Sequence, residues 1–115
     1  MAVKITINGS VMLGKRRIGI LRKDNTFITW REDKHLFKHY RGFGINEEVL
    51  CRLSMAGCRR VCLIWRSKEG RERLFEAPPE NLLGMGQSYV LGQGKTAERQ
   101  RVVTLKELES LEVAG

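Results

Sequence analysis

"RRVCLIWRS", residues 59–67, sets five apolar residues, Val61 to Trp65, between arginines. So short an apolar run with charged ends predicts a strand deep in a sheet. Everything around it is read by how it supports that strand. On the N-terminal side, Asn46 is suited to cap a helix, Glu47 and Glu48 fall at the positive end of its dipole, and Gly57 ends it. Val49, Leu50, Leu53 and Ala56 would share the buried face of that helix. On the C-terminal side, "SKEGRE" (67–72) predicts a tight turn with Gly70 at positive φ, and "RLFEA" (73–77) returns antiparallel.

Further out, "PPENLL" (78–83) starts like a helix, because proline is tolerated in a first turn. "SYVL" (88–91) and "RQRVVT" (99–104) predict a strand pair around "GQGKTAE". Thr104 with Glu107 spells a capping box ahead of "LKELESL" (105–111). Toward the N-terminus, "VKITI" (3–7) alternates with period two, and "NGS" (8–10) is a turn. Residues 16–31 form a hairpin around "KDN" (23–25), with Ile18 and Ile20 on one side and Arg17, Gly19 and Leu21 on the other. The expected fold class is α+β: a mainly antiparallel sheet of five to seven strands with two or three short helices, residues 1–115 forming a single compact domain.

"DKHLFKHYRGFGI" (33–45) holds both histidines of the chain. Asp33 is placed as an N-cap and Gly42 as the residue after the last turn, which predicts a helix over 34–41. Leu36, Phe37 and Tyr40 then form an apolar stripe, and Lys34, Lys38, Arg41, His35 and His39 fill the other face. "RGFG" becomes a turn that offers Phe43 to solvent as a ring on which a base could stack.

Charge separates the two halves of the chain. Thirteen of 21 cations but only five of 13 anions lie in residues 1–60, so that half carries the whole net charge of +8. Residues 61–115 hold eight of each sign. A lopsided surplus points to a polyanionic partner more than a uniform one does. Phosphate contacts are therefore expected from Lys15, Arg16, Arg17, Arg22 and Lys23 on the hairpin and from Lys34, Lys38 and Arg41 on the helix, with Phe43 stacking. Trp30 and Tyr40 are further aromatic candidates, Tyr40 being more suited to the core.

Other chemistries have weaker support. His35 and His39 are spaced i, i+4, as a helical metal site requires, but Lys38 stands between them and no third ligand is fixed by spacing. The cysteines read C-x6-C-x3-C, without the paired C-x2-C of a zinc knuckle, and are expected as small core fillers. Cys58 beside Arg59 and Arg60 is the alternative, a thiol of lowered pKa. "GQGKT" (92–96) lacks the G-x4-G-K-[ST] spacing and the following helix of a phosphate loop.

At 115 residues a chain buries roughly 65% of its unfolded surface, so a core without staples is feasible. No apolar run reaches the ~20 residues of a membrane span. Three cysteines and no export signal suggest the cytoplasm. The expectation is thus a small basic nucleic-acid-associated domain, for DNA or RNA, with little sequence readout, no cofactor, no metal and no membrane partner. The alternatives are a protein-interaction or self-assembling module, a homo-oligomer included, and a metal-dependent hydrolase or nuclease centred on Asp33, His35 and His39.

Overall fold

The computed structural model describes residues 3–32 and 42–113. Nine strands fall into two sheets. The first, sheet A, contains β1 (Val3–Ile5), β2 (Ser10–Leu13), β3 (Arg16–Leu21), β4 (Thr26–Glu32), β6 (Arg60–Arg66) and β7 (Glu72–Ala77), side by side in that order. Sheet B contains β5 (Gly42–Asn46), β8 (Gln87–Leu91) and β9 (Glu98–Thr104), with β9 in the middle. The described residues also form three short helices: α1 (Glu47–Met55), α2 (Pro79–Leu83) and α3 (Leu105–Leu108).

The apolar run at 61–65 forms the centre of β6, flanked by β4 and β7. Its pairing with β4 is parallel, Thr26 to Glu32 against Arg60 to Arg66, while every other pairing is antiparallel. Parallel neighbours need a crossover of a dozen residues or more, and the chain between β4 and β6, with β5 and α1 in it, supplies one. Sheet A is thus mainly antiparallel, as expected, with one parallel pair between its fourth and fifth strands, and β5, β8 and β9 form a second sheet where one was expected.

One core serves both sheets. Phe27, Leu63 and Phe75 from sheet A, Phe43, Ile45 and Val103 from sheet B, and Val49, Leu50, Leu53, Leu82 and Leu108 from the helices are all at most 3% exposed. Each such side chain contributes about 1.5–3 kcal/mol by leaving water. Local signals agree with this packing. The Asn46 side chain accepts from Val49 N–H, and Thr104 and Glu107 form the reciprocal capping box. Gly57 and Gly70 take the positive φ that their turns require.

Two expectations are corrected here. "GFGIN" is not a turn before a cap but strand β5, buried along its whole length and paired with β9. A Cβ at Gly42 would come within 2.9 Å of Val102 Cγ1 and the Val103 carbonyl, so this glycine permits the close approach of β5 and β9. Phe43 is 0% exposed, so no base can stack on it. The helix expected over 34–41, with Lys34, His35, Lys38, His39 and Arg41, lies outside the described residues.

Candidate nucleic-acid interface

The two faces of sheet A differ. Along β4, Phe27 and Thr29 are buried toward the core, and Ile28, Trp30 and Glu32 alternate to the outside. Register carries that outer face across the sheet: Ile20 opposite Ile28, Ile28 opposite Cys62, Trp30 opposite Ile64, and Ile64 opposite Leu74. Met12, Ile20, Ile28, Ile64 and Leu74 are half-buried and stand apart from the core cluster. Trp30 is 38% exposed among them. The described helices pack mainly on one another and on β1, β5 and β9, and on this face Met12, Ile20, Ile28, Trp30, Ile64 and Leu74 keep part of their surface in solvent.

A bulge puts a cation beside the tryptophan. The β2–β3 register slips between Val11 and Met12, so Val11 pairs with Gly19 but Met12 pairs with Arg17. Simple alternation places Arg17 with Gly19 and Leu21. The extra residue instead turns Ile18 to the core, with Gly19 and Leu21, and sends Arg17 to the outer face with Ile20. There its guanidinium carbon lies 5.9 Å from the centroid of the Trp30 ring, a cation–π contact.

Ion pairing leaves an uneven remainder on the same face. Toward the β7 edge, Arg60 pairs with Glu76 at 3.1 Å and Arg66 with Glu72 at 2.7 Å. Toward the β1–β3 side, Lys4 and Arg17 are exposed, and among the described residues no carboxylate pairs with either. Among the described residues, most of the cations of the first half of the chain therefore lie along β1 to β4 and their turns.

Of the expected phosphate contacts, Lys15, Arg16 and Arg17 sit together at the β2–β3 turn, all exposed. Arg22 and Lys23 occupy the β3–β4 turn at the other end of β3, roughly 16 Å of strand away. The structure brings these into two groups rather than one patch. Arg59 joins the second group through its N–H to the Asn25 carbonyl, 2.8 Å. Asp24 lies in that turn with its carboxyl held below the usual range, chiefly by the Thr26 N–H it accepts. Arg16 is occupied: Nη2 lies 2.9 Å from Glu98 Oε1 in sheet B.

Two cations not expected from the sequence lie near these groups, Lys4 and Arg31. Lys4 is carried to the outer face by its pairing with Met12. Arg31 alternates toward the core side of β4, where a cation is out of place, and that misfit was the available signal. Its Nη1 donates to the Trp30 carbonyl at 2.8 Å and to Thr29 Oγ1 at 3.2 Å, with the guanidinium 5.4 Å over the Phe43 ring. Burial, then the nearby Arg16, pulls its pKa down.

The alternative chemistries fare as follows. Cys58 and Cys62 are buried and Cys51 is exposed. Burial pushes the Cys58 thiol up despite its arginine neighbours, which corrects the idea of an activated thiolate there. Its Sγ donates to the Arg60 carbonyl at 3.3 Å. Among the described residues no three His, Cys, Asp or Glu side chains gather as a metal site, and His35 and His39 lie outside that set. "GQGKT" contains a single 3-10 turn, Gly94–Thr96, and leads into strand β9. No described helix is long and apolar enough to cross a membrane. No protein-family model, curated protein or solved structure matches this chain.

Proposed function

We propose that the protein is a nucleic-acid-binding domain that lays a single strand, DNA or RNA, across the open face of sheet A. The observation that carries this reading is Trp30, 38% exposed on a face of the sheet that none of the described helices covers, with Arg17 over its ring. A base stacked on such a ring gains roughly 1–3 kcal/mol with little regard to its identity. Lys15 and Arg17 at one turn, and Arg22 and Lys23 at the other, would receive phosphates along the strand. Four such contacts give a slope of log K against log salt of about −3 for a single strand. The test is a fluorescence titration of a short single-stranded oligonucleotide at rising salt, repeated with Trp30→Ala. Salt-independent binding, or no binding at low salt, counts against the reading.

The half-buried stripe of Met12, Ile20, Ile28, Ile64 and Leu74 favours a second reading, a protein-interaction face or self-association through it. Leu82 and Leu83 take no part in that stripe, being core or packed against the core. Sedimentation at high salt separates the two readings. A self-associating face holds as salt rises, because its attraction is apolar, while a phosphate-binding face releases its ligand.

A further inference from the structure

A wedge-shaped cleft of about 450 Å3 opens where the two sheets meet, lined by Arg16, Arg17, Trp30 and Arg31 from sheet A and by Leu91 and Glu98 from sheet B. Its volume is that of a small-molecule site. Trp30 and Leu91 are each more than a third exposed and stand at its mouth, while Arg31 lies deeper over the fully buried Phe43.

Arg31 is the unusual member. Its partners are a carbonyl and a hydroxyl, and among the described residues no carboxylate pairs with it. The carboxylate facing it across the wedge is already used: Glu98 accepts from Arg16 at 2.9 Å and from Gln100 Nε2 at 2.8 Å. Glu32, also on the lining, has a partner of its own. A half-buried guanidinium next to a second guanidinium is electrostatically costly, and an anion in the wedge would relieve both.

We propose that the wedge receives a terminal phosphate monoester, the end of a nucleic-acid strand whose body lies on the open face of sheet A. This rests on the reading of that face given above. Trp30 and Arg17 connect the two features, since both line the wedge and both belong to the open face. A strand stacked on Trp30 therefore delivers its end toward Arg31. A monoester suits the site better than a diester. It carries about −1.5 to −2 charge at pH 7 and three acceptor oxygens, against one charge on a backbone phosphate. Guanidinium forks match those oxygens in geometry.

The experiment compares three oligonucleotides of one sequence, internally labelled: with a 5′-phosphate, with a 3′-phosphate, and with neither. Anisotropy titrations on the wild-type protein are expected to show one phosphorylated strand binding about tenfold or more tightly, the size of a charge-assisted hydrogen bond. That preference is expected to shrink as pH falls through about 6, where the monoester loses its second charge. Arg31→Gln is expected to lose it and Arg31→Lys to keep part of it, with thermal unfolding followed for each. Equal affinity for all three strands in the wild type overturns the proposal and leaves the open-face reading standing. A preference that survives in folded Arg31→Gln also overturns it. If no strand binds at low salt, the proposal falls together with the reading it rests on.

Discussion

Arg17 and Trp30 meet across β3 and β4, guanidinium carbon 5.9 Å from ring centroid, because a bulge opposite Met12 turns the arginine out of the core. The contact sets a cation against the indole on a face whose neighbouring positions, Met12, Ile20, Ile28 and Ile64, are aliphatic. Trp30→Ala is expected to weaken single-strand binding by about 1–3 kcal/mol, the value of one stacked base. Stability should change little, since the ring is partly in water already. Parallel binding and urea titrations check both halves of the expectation; a large loss of stability with unchanged affinity would assign Trp30 to packing.

The close approach of β3 to β4 depends on Gly19. A Cβ there would lie 2.5 Å from the Phe27 ring and 2.5 Å from the Ile28 carbonyl oxygen, neither of which can move cheaply in a packed sheet. Gly19→Ala is expected to cost about 1–3 kcal/mol through overpacking. Chemical denaturation measures it directly, and a variant as stable as the wild type would mean that β3 can move away from β4.

Much of this fold was legible in the sequence because the informative signals were local. The Asn46 cap, the Thr104–Glu107 box, the Gly70 turn and the apolar run of β6 each act within a few residues, and each appears where expected. What failed depended on distant partners. "GFGIN" carries two glycines and looks like a turn, yet it is a strand because β9 lies against it closely enough to require Gly42. With that error Phe43 was placed in solvent, when it is core. The parallel pairing of β4 with β6 leaves no mark in either strand's own residues. For the interface, the sequence located the cations, but their division into two groups, and the pairing of Arg16 with Glu98, follow from strand length and from the second sheet.

Glu107 provides a pH test of the capping box. Its carboxylate accepts from the Thr104 N–H, the Thr104 hydroxyl and the Gly86 N–H, which hold its pKa below the ordinary glutamate range, the Thr104 backbone bond first. A pKa lower in the folded state means stability that is complete above the unfolded value and lost as pH falls through the folded one. Glu107→Gln keeps a capping side chain but not the charge. Its melting temperature is expected to lie below that of the wild type near neutral pH, with the gap closing in acid. A gap constant with pH would show that the charge contributes nothing. Thr104→Ala should cost about 1 kcal/mol at neutral pH.

Thiol chemistry separates the cysteines. Cys51 is exposed on α1, whereas burial raises the pKa of Cys58 and Cys62. A thiol reagent at neutral pH is expected to modify one cysteine quickly and the other two only after unfolding. Rapid reaction of Cys58 in the native protein would restore it as a candidate nucleophile.

The most direct test of the central claim is the salt dependence of single-strand binding, measured side by side for the wild type and Arg17→Ala. The expected result is measurable affinity at low salt, a slope of log K against log salt of about −3, and a slope shallower by about 0.7 in the variant as one phosphate contact is lost. No affinity at low salt, or identical slopes for the two proteins, would contradict an interface built around Arg17 and Trp30.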